Sequence, residues 1–183
     1  TTLKAMLAAK DAMGRAASLP LSVQSTLEEL KEFETTQLLP PRLEGLKLGL
    51  EQSAEFGALQ QTRQRVVRMA AAKEAMRSAA NLGSQLDAAL PLAAIRGGIE
   101  AMEDALALGA EHAAGAEEAQ TLKEQMTRAR FVEAAKAGLV EAISAASLSM
   151  QDAALNKGAQ AVPDLQRAVA ALEQAATAAS DAV

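Results

Sequence analysis

The residues of this chain that could do chemistry are few: one histidine, no cysteine, and carboxylates spread along segments rich in helix formers. A Ser-His-Asp set would have to use His112, which stands beside Glu111 among alanines, as is typical of a solvated loop or helix end. Without cysteine the sequence offers no disulfide, no thiolate metal site and no cysteine nucleophile. We therefore predict no catalytic residue, no cofactor, no metal ligand, and a protein that is not an enzyme.

Two groups of carboxylates have the spacing of a shared helix face: Glu51 with Glu55, and Glu100 with Glu103 and Asp104. Such groups occur in di-iron helical bundles, where two of the helices also carry Glu-x-x-His. This sequence has no Glu-x-x-His motif, and it lacks a P-loop, a dinucleotide-binding glycine pattern and an EF-hand loop. We interpret the carboxylates as a solvated face.

Composition favours an ordered helical protein with protein partners. Half of the 183 residues are hydrophobic, only 2% are aromatic, and the net charge of −5 argues against general nucleic-acid binding. The longest apolar run, 88–95, contains Pro91 and is cut by Arg96, so we predict no membrane span. Strand signals are missing, whereas Ala, Leu, Glu, Gln, Lys, Arg and Met fill the long segments.

Proline and glycine mark the expected breaks between helices. The breaks fall at Leu19-Pro20, Leu39-Pro40-Pro41, Gly57-Ala58, 81–83, Leu90-Pro91, 109–115 and 162–164. They predict helices at 2–18, 21–36, 41–57, 59–81, 91–109, 115–147 and 163–180.

An internal repeat organises these helices. Lys10, Lys73 and Lys136 are each 63 residues apart, and all three follow a pair of alanines. The pattern predicts an all-α fold of tandem antiparallel helical hairpins, forming a short α-solenoid or an elongated helical bundle. Residues 1–183 are then one all-helical repeat region with approximate units 1–58, 59–121 and 122–183, expected to be a fragment of a longer chain.

A second type of helix precedes each later copy, at 43–57 and 95–109, with a shift of 52 residues. This shift of 52 residues is smaller than the 63-residue spacing of the lysines, and the difference predicts an insertion at 112–120. The repeated lysines lie at the margin of an apolar arc, which on the first helix contains the stripe Leu3, Met6, Met13 and Ala17. We expect each lysine stem to cover apolar surface while its ammonium stays in water. The alternative is that the lysines set the register by pairing with carboxylates on neighbouring helices.

The net charge also alternates along the chain: it is −6 over 99–118 and +4 over 59–77. This alternation favours the docking of acidic helices on basic ones. Within the basic segment Arg65 and Arg68 share a face, whereas Arg63 and Arg77 lie on another, so we predict no single basic patch. Methionines recur at seven-residue spacing and are interpreted as core filling, with a pliable binding groove as the alternative; they are Met6, Met13, Met69 and Met76.

Residues 99–109, Ile-Glu-Ala-Met-Glu-Asp-Ala-Leu-Ala-Leu-Gly, followed by Gln-Thr-Leu-Lys at 120–123, resemble a known class of repeats. These are the alanine- and leucine-rich helical-hairpin repeats of large algal and protist proteins, including ciliary and cytoskeletal ones. The resemblance covers about residues 40–150. It implies the hairpin fold and assigns no residue a task.

Together these patterns predict a structural or scaffold segment that mediates contacts with other protein chains of a larger complex. The alternative is an α-solenoid adaptor that binds a peptide or helix in an apolar groove. The compartment is not determined by the sequence, with the cytoplasm or the cilium favoured.

Overall fold

The computed structural model describes residues 2–155 and 161–180, and within those ranges every regular element is helical. The all-α prediction is therefore confirmed. The helices are α1 (Thr2–Ala17), α2 (Leu27–Phe33), a π-helical segment (Glu34–Leu38), α3 (Leu39–Lys47), α4 (Ala54–Ser84), α5 (Leu92–His112), α6 (Glu117–Leu155) and α7 (Ala161–Ser180).

Helix α2 begins later than predicted because its start is fixed by side-chain capping. The Thr26 hydroxyl accepts a hydrogen bond from the Glu29 backbone N–H at 3.1 Å, and the Glu29 carboxylate accepts one from the Thr26 N–H at 2.8 Å. This reciprocal capping box satisfies two backbone donors that helix geometry leaves unpaired. The predicted helical start at residue 21 is therefore wrong, and residues 18–26 form a connecting loop.

The helix break predicted at Leu39-Pro40-Pro41 is also wrong, because the backbone stays helical from residue 27 to residue 47. Two prolines remove two successive N–H donors, and a widened π-helical turn precedes them. The hydroxyls of Thr35 and Thr36 donate to backbone carbonyls of the preceding turn, at 2.8–3.0 Å. The helical segment thus continues through both prolines.

The break between α3 and α4 lies at residues 48–53, not at Gly57. Gly49 has φ +66°, and the N–H of Leu50 donates to the Gly45 carbonyl at 2.9 Å, as in a Schellman C-cap. Ser53 then caps α4 by accepting from the Phe56 N–H at 3.2 Å. The helices predicted at 41–57 and 59–81 are corrected accordingly, and Gly57 lies inside α4.

The later boundaries agree more closely with prediction. Helices α5 and α6 correspond to the predicted 91–109 and 115–147, although α6 continues to Leu155. The predicted stop at 81–83 does not occur, since α4 runs through Gly83 to Ser84. Gly115, with φ +84°, lies in the connection between α5 and α6.

The chain divides into two compact units: Thr1–Ser78 with Ala105–Gln120, and Ala79–Asp104 with Thr121–Val183. We call them the first and second units. The predicted repeat units at 1–58, 59–121 and 122–183 follow sequence equivalence rather than compactness, and they stay a prediction. The fully buried large side chains are Met13, Leu27, Leu30, Leu38, Leu59, Val66, Met69 and Met76 in the first unit, and Ile95, Met102, Leu122 and Val132 in the second.

Methionine fills these alanine-rich cores, as predicted for Met13, Met69 and Met76. The predicted apolar stripe on α1 is only partly right, since Leu3 is 71% exposed whereas Met13 is fully buried. The contacts of α1 with neighbouring helices decide which of its faces is buried. Ala9 and Ala16 therefore join Met13 on the buried face.

Three buried methionines pack directly on glycines of another helical segment. The pairs are Met13 with Gly45 and Met76 with Gly109 in the first unit, and Met102 with Gly83 in the second. Because Met13 and Met76 are 63 residues apart, their partners Gly45 and Gly109 occupy equivalent places at a shift of 64. The shift of 52, and the insertion at 112–120 inferred from it, are therefore wrong.

Replacing Gly83 with Ala is expected to lower the free energy of unfolding by about 1–3 kcal/mol through overpacking. A Cβ there would lie 2.7 Å from the Met102 sulfur and 3.1 Å from the Gln125 Cβ. Gly57 lies on the same helix with no atom within 4 Å of its would-be Cβ, so Gly57→Ala should raise stability by about 0.5–1 kcal/mol. Urea denaturation of both variants checks the sign, and equal effects would contradict the packing assignment.

Candidate functional site

The lysines of the 63-residue repeat each contact a residue distant in sequence. Lys10 lies 3.8 Å from the Glu55 carboxylate, and Lys73 donates to Glu118 at 2.9 Å. Both pairs join residues 45 apart, and both glutamates are the second residue of their helix, α4 or α6. The first unit therefore contains the same lysine–carboxylate contact twice.

The two contacts differ in how far their side chains are buried. The Lys73 side chain is 2% exposed and Glu118 is 16% exposed, whereas Lys10 and Glu55 are 39% and 36% exposed. The expectation of a solvated ammonium is thus right for Lys10 and wrong for Lys73. At Lys73 the alternative interpretation fits, because a carboxylate from another helix meets a buried cation. The acidic partners were missed at the sequence level, although their own 63-residue spacing carries the signal.

Lys136 makes a different contact within the second unit. Its ammonium donates to the backbone carbonyl of Ala88 at 2.7 Å, and its side chain is half-buried. The 45-residue separation would give it Asp181 as the acidic partner, and that residue lies outside the described ranges.

The predicted docking of the acidic segment 99–118 on the basic segment 59–77 has one ion pair among the described residues, Lys73–Glu118. The other ion pairs between helices run in both senses, since Lys31 also pairs with Glu74 of α4. In the first unit, basic residues of α4 pair with the helical stretch 27–38 in antiparallel order, through Arg63–Glu34 at 2.7 Å and Arg77–Glu28 at 3.3 Å. In the second unit α5 and α6 are likewise antiparallel, through Arg96–Glu133 and Glu103–Arg130, both at 2.7 Å.

Among the carboxyl groups that the structure describes, two have pKa values below the ordinary range for glutamate. The pKa of Glu28 is lowered first by a hydrogen bond from its own backbone N–H and then by Arg77. The pKa of Glu55 is lowered first by its own backbone N–H, with smaller contributions from the Ser53 hydroxyl and the Lys10 charge. Both groups lie in the first turn of a helix, where the backbone amides favour a negative charge.

The remaining residues considered for chemistry do not come together into a site. Glu51, Glu100, Glu103 and Asp104 are exposed. Among the described residues no group of three or more histidine and acidic side chains could hold a metal ion. His112 is the last residue of α5, with a side chain 20% exposed and 3.4 Å from Glu111.

His112 does, however, line a cavity of about 450 Å³ in the first unit. The cavity lies between the exposed side of α4, the loop before α2 and the end of α5. Six of its nine lining residues are polar, and two of these are arginines; the residues are Val23, Gln61, Gln64, Arg65, Arg68, Met69, Glu111, His112 and Ala114. Near its rim, the Gln24 side-chain amide donates to the Gly115 carbonyl at 3.0 Å and so ties the loop before α2 to the connection after α5. Sequence reasoning placed Arg65 and Arg68 on one face but did not predict the opposing wall.

Comparison with known proteins returns no match for this chain, whether with family models, with curated proteins or with solved structures. Within the part of the chain that the structure describes, none of the helices combines the length and apolar character that crossing a membrane requires.

Proposed function

We propose that this chain is a structural scaffold segment, built of tandem antiparallel helical hairpins that hold other protein chains in a larger assembly. The observation that carries the proposal is the lysine–carboxylate contact that recurs at 63 residues. In an array of repeats, equivalent contacts join each repeat to the next, so that stability is a sum over neighbouring repeats.

Two features of the described helices and one of the sequence further support this periodicity. Helices α4 and α6 begin at residues 54 and 117, which are 63 apart. Their buried positions correspond, since Leu59 is equivalent to Leu122 and Met69 to Val132, and all four are buried. In the sequence, an acidic residue recurs at 55, 118 and 181.

A scaffold role without catalysis is further favoured by composition. The chain has a single histidine and no cysteine, and alanine-rich helices with methionine packed on glycine give close contacts but few reactive groups. The proposal extends to the partners, which are protein chains rather than nucleic acid, in view of the negative net charge.

The adaptor alternative requires one concave apolar groove for a peptide or helix. Large exposed apolar side chains instead lie on several helices, which favours a scaffold contacted along its length. In the first unit they include Leu3, Leu7, Leu43, Val67 and Leu108; in the second, Leu82, Phe131, Val140, Ile143, Leu148 and Met150.

Duplicating residues 54–116 in tandem tests whether the chain is a modular repeat. The second copy would again begin with a helix whose second residue, Glu55, offers a carboxylate at the position of Glu118. We expect the longer chain to gain helix in proportion to its length and to unfold at no lower urea concentration, because each repeat adds an interface. Circular dichroism during urea titration measures both quantities.

The matched control inserts a scrambled sequence of the same composition at the same place. It should add little helix and leave or lower the unfolding midpoint. If the true duplication behaved like the scrambled insert, or prevented folding, the chain would be a closed domain and the scaffold proposal would fail.

A further inference from the structure

Some cationic side chains of α4 form an ion pair with a glutamate of this chain, and others do not. Arg63 pairs with Glu34, Arg77 with Glu28, and Lys73 with Glu118. Among the residues that the structure describes, Arg65 and Arg68 have neither an ion pair nor a side-chain hydrogen bond. The two arginines are therefore the uncompensated part of the basic segment.

Both uncompensated arginines line the 450 Å³ cavity of the first unit. With Gln61 and Gln64 they occupy positions i, i+3, i+4 and i+7 of α4, so four polar side chains share one face. The opposing wall supplies His112 and Glu111. An open cavity with two guanidinium groups and two amides offers many N–H donors, which suits a negatively charged, oxygen-rich group.

We propose that this cavity binds an acidic peptide segment of a partner protein, whose carboxylates pair with Arg65 and Arg68. The inference rests on the proposed scaffold function, because it identifies the chemistry of one of the protein partners. Within the chain the same helix already uses its arginines in this way, as Arg63 and Arg77 take glutamates from an antiparallel helix. A partner segment would extend that pairing to the remaining two.

Two observations favour carboxylates on a polypeptide over a phosphate ion. Glu111 stands in the same lining, and its negative charge disfavours a dianion more than a single carboxylate. The polar α4 residues in the lining are also exposed, so a chain can lay successive side chains against Gln61, Gln64, Arg65 and Arg68.

The arginine pair is specific to one repeat. At a shift of 63 residues the equivalents of Arg65 and Arg68 are Arg128 and Phe131, and those of Gln61 and Gln64 are Glu124 and Thr127. Repeats share the residues that build the fold, so a polar cluster confined to one of them marks a place where that repeat has a task of its own.

Nuclear magnetic resonance can test the proposal on the full chain. Because the sequence has one histidine, the proton on Cε1 of the His112 imidazole gives a single signal that reports on the cavity. The probe is a capped twelve-residue peptide of alternating glutamate and alanine, and the matched peptide carries glutamine instead of glutamate. Inorganic phosphate is titrated in a separate arm.

The acidic peptide should shift the His112 signal saturably at about 0.15 M salt, whereas the glutamine peptide should not. Arg65→Gln with Arg68→Gln should weaken binding about tenfold, because two charge-assisted contacts are lost. The control Lys123→Gln with Arg128→Gln removes the same charge from exposed positions outside the cavity and should change affinity less than about twofold.

An absent shift, or equal weakening by the two double variants, would overturn the proposal. A shift produced by phosphate but not by the acidic peptide would also overturn it, in favour of a small-anion site. Circular dichroism of each variant checks that it is folded. If the peptide failed to bind while the tandem duplication still folded, this inference alone would fall; failure of the duplication would strike the scaffold proposal instead.

Discussion

Glu118→Ala is expected to lower the free energy of unfolding by about 3–5 kcal/mol, because it leaves the buried charge of Lys73 without a partner. Lys73 is 2% exposed and, among the described residues, Glu118 is its one ion-pair partner, at 2.9 Å. Glu118 itself keeps 16% of its side-chain exposure, which places the effect towards the lower end of that range. Urea denaturation followed by circular dichroism measures the change.

Two single variants isolate the buried charge from other effects. Glu117→Ala removes an exposed carboxylate from the same first turn, so it reports the helix-dipole contribution, about 0.3–1 kcal/mol. Glu55→Ala removes the equivalent partner of the half-exposed Lys10 and should cost much less stability than Glu118→Ala, because water screens that pair.

Lys73→Met combined with Glu118→Ala should restore most of the lost stability, since an apolar side chain of similar length needs no counter-charge. A loss at Glu118 no larger than the loss at Glu117 would show that water reaches the Lys73 ammonium. The register contact would then be no stronger than a surface pair.

Met76→Ala is the second change with a large expected effect, about 2–5 kcal/mol of lost stability. The Met76 side chain is fully buried, and its sulfur packs on Gly109 of α5. Alanine-rich neighbours have few long side chains that could fill the space left by the truncation. Met150→Ala, at a methionine that is 55% exposed, is the matched control and should change stability by less than about 0.5 kcal/mol.

A double variant tests whether Met76 and Gly109 are in contact. Gly109→Ala alone should destabilise the chain by about 1–3 kcal/mol, because its Cβ would overlap the Met76 side chain. In the Met76→Ala background the same change should be neutral or stabilising, since the Cβ enters vacated space and alanine favours helix. Additive effects in the double variant would mean that the two residues are not in contact.

Much of the helix pattern followed from local sequence. Proline at positions 20 and 91 and glycine at 115 marked real helix ends, since these residues act through their own backbone preferences. The errors have a common cause. Pro40 and Pro41 are accommodated by a π-helical turn, and Gly57 was taken as a stop while Gly49, with its positive φ, was not. Glycine and proline permit a break, and the surrounding contacts decide whether one occurs.

The 63-residue spacing of Lys10, Lys73 and Lys136 was visible in the sequence, but the environments of the three side chains were not. Each has the same local apolar arc, and that arc alone suggests a lysine stem on the surface with its charge in water. Lys73 is 2% exposed, and the fold of the first unit brings Glu118 to its ammonium. That contact joins positions 45 residues apart, so no local window of sequence contains it.

The sequence by itself determined the helical content, the 63-residue period and the small set of reactive residues, because these depend on composition and on the preferences of neighbouring residues. Tertiary structure decided which equivalent lysine is buried, which methionine meets which glycine, and that Arg65 and Arg68 stay uncompensated beside a cavity. Burial and ion pairing depend on the distance between side chains from separate helices. Those distances are set by packing, where a rotation of one helix by a single residue, about 100°, brings a different set of side chains into the core.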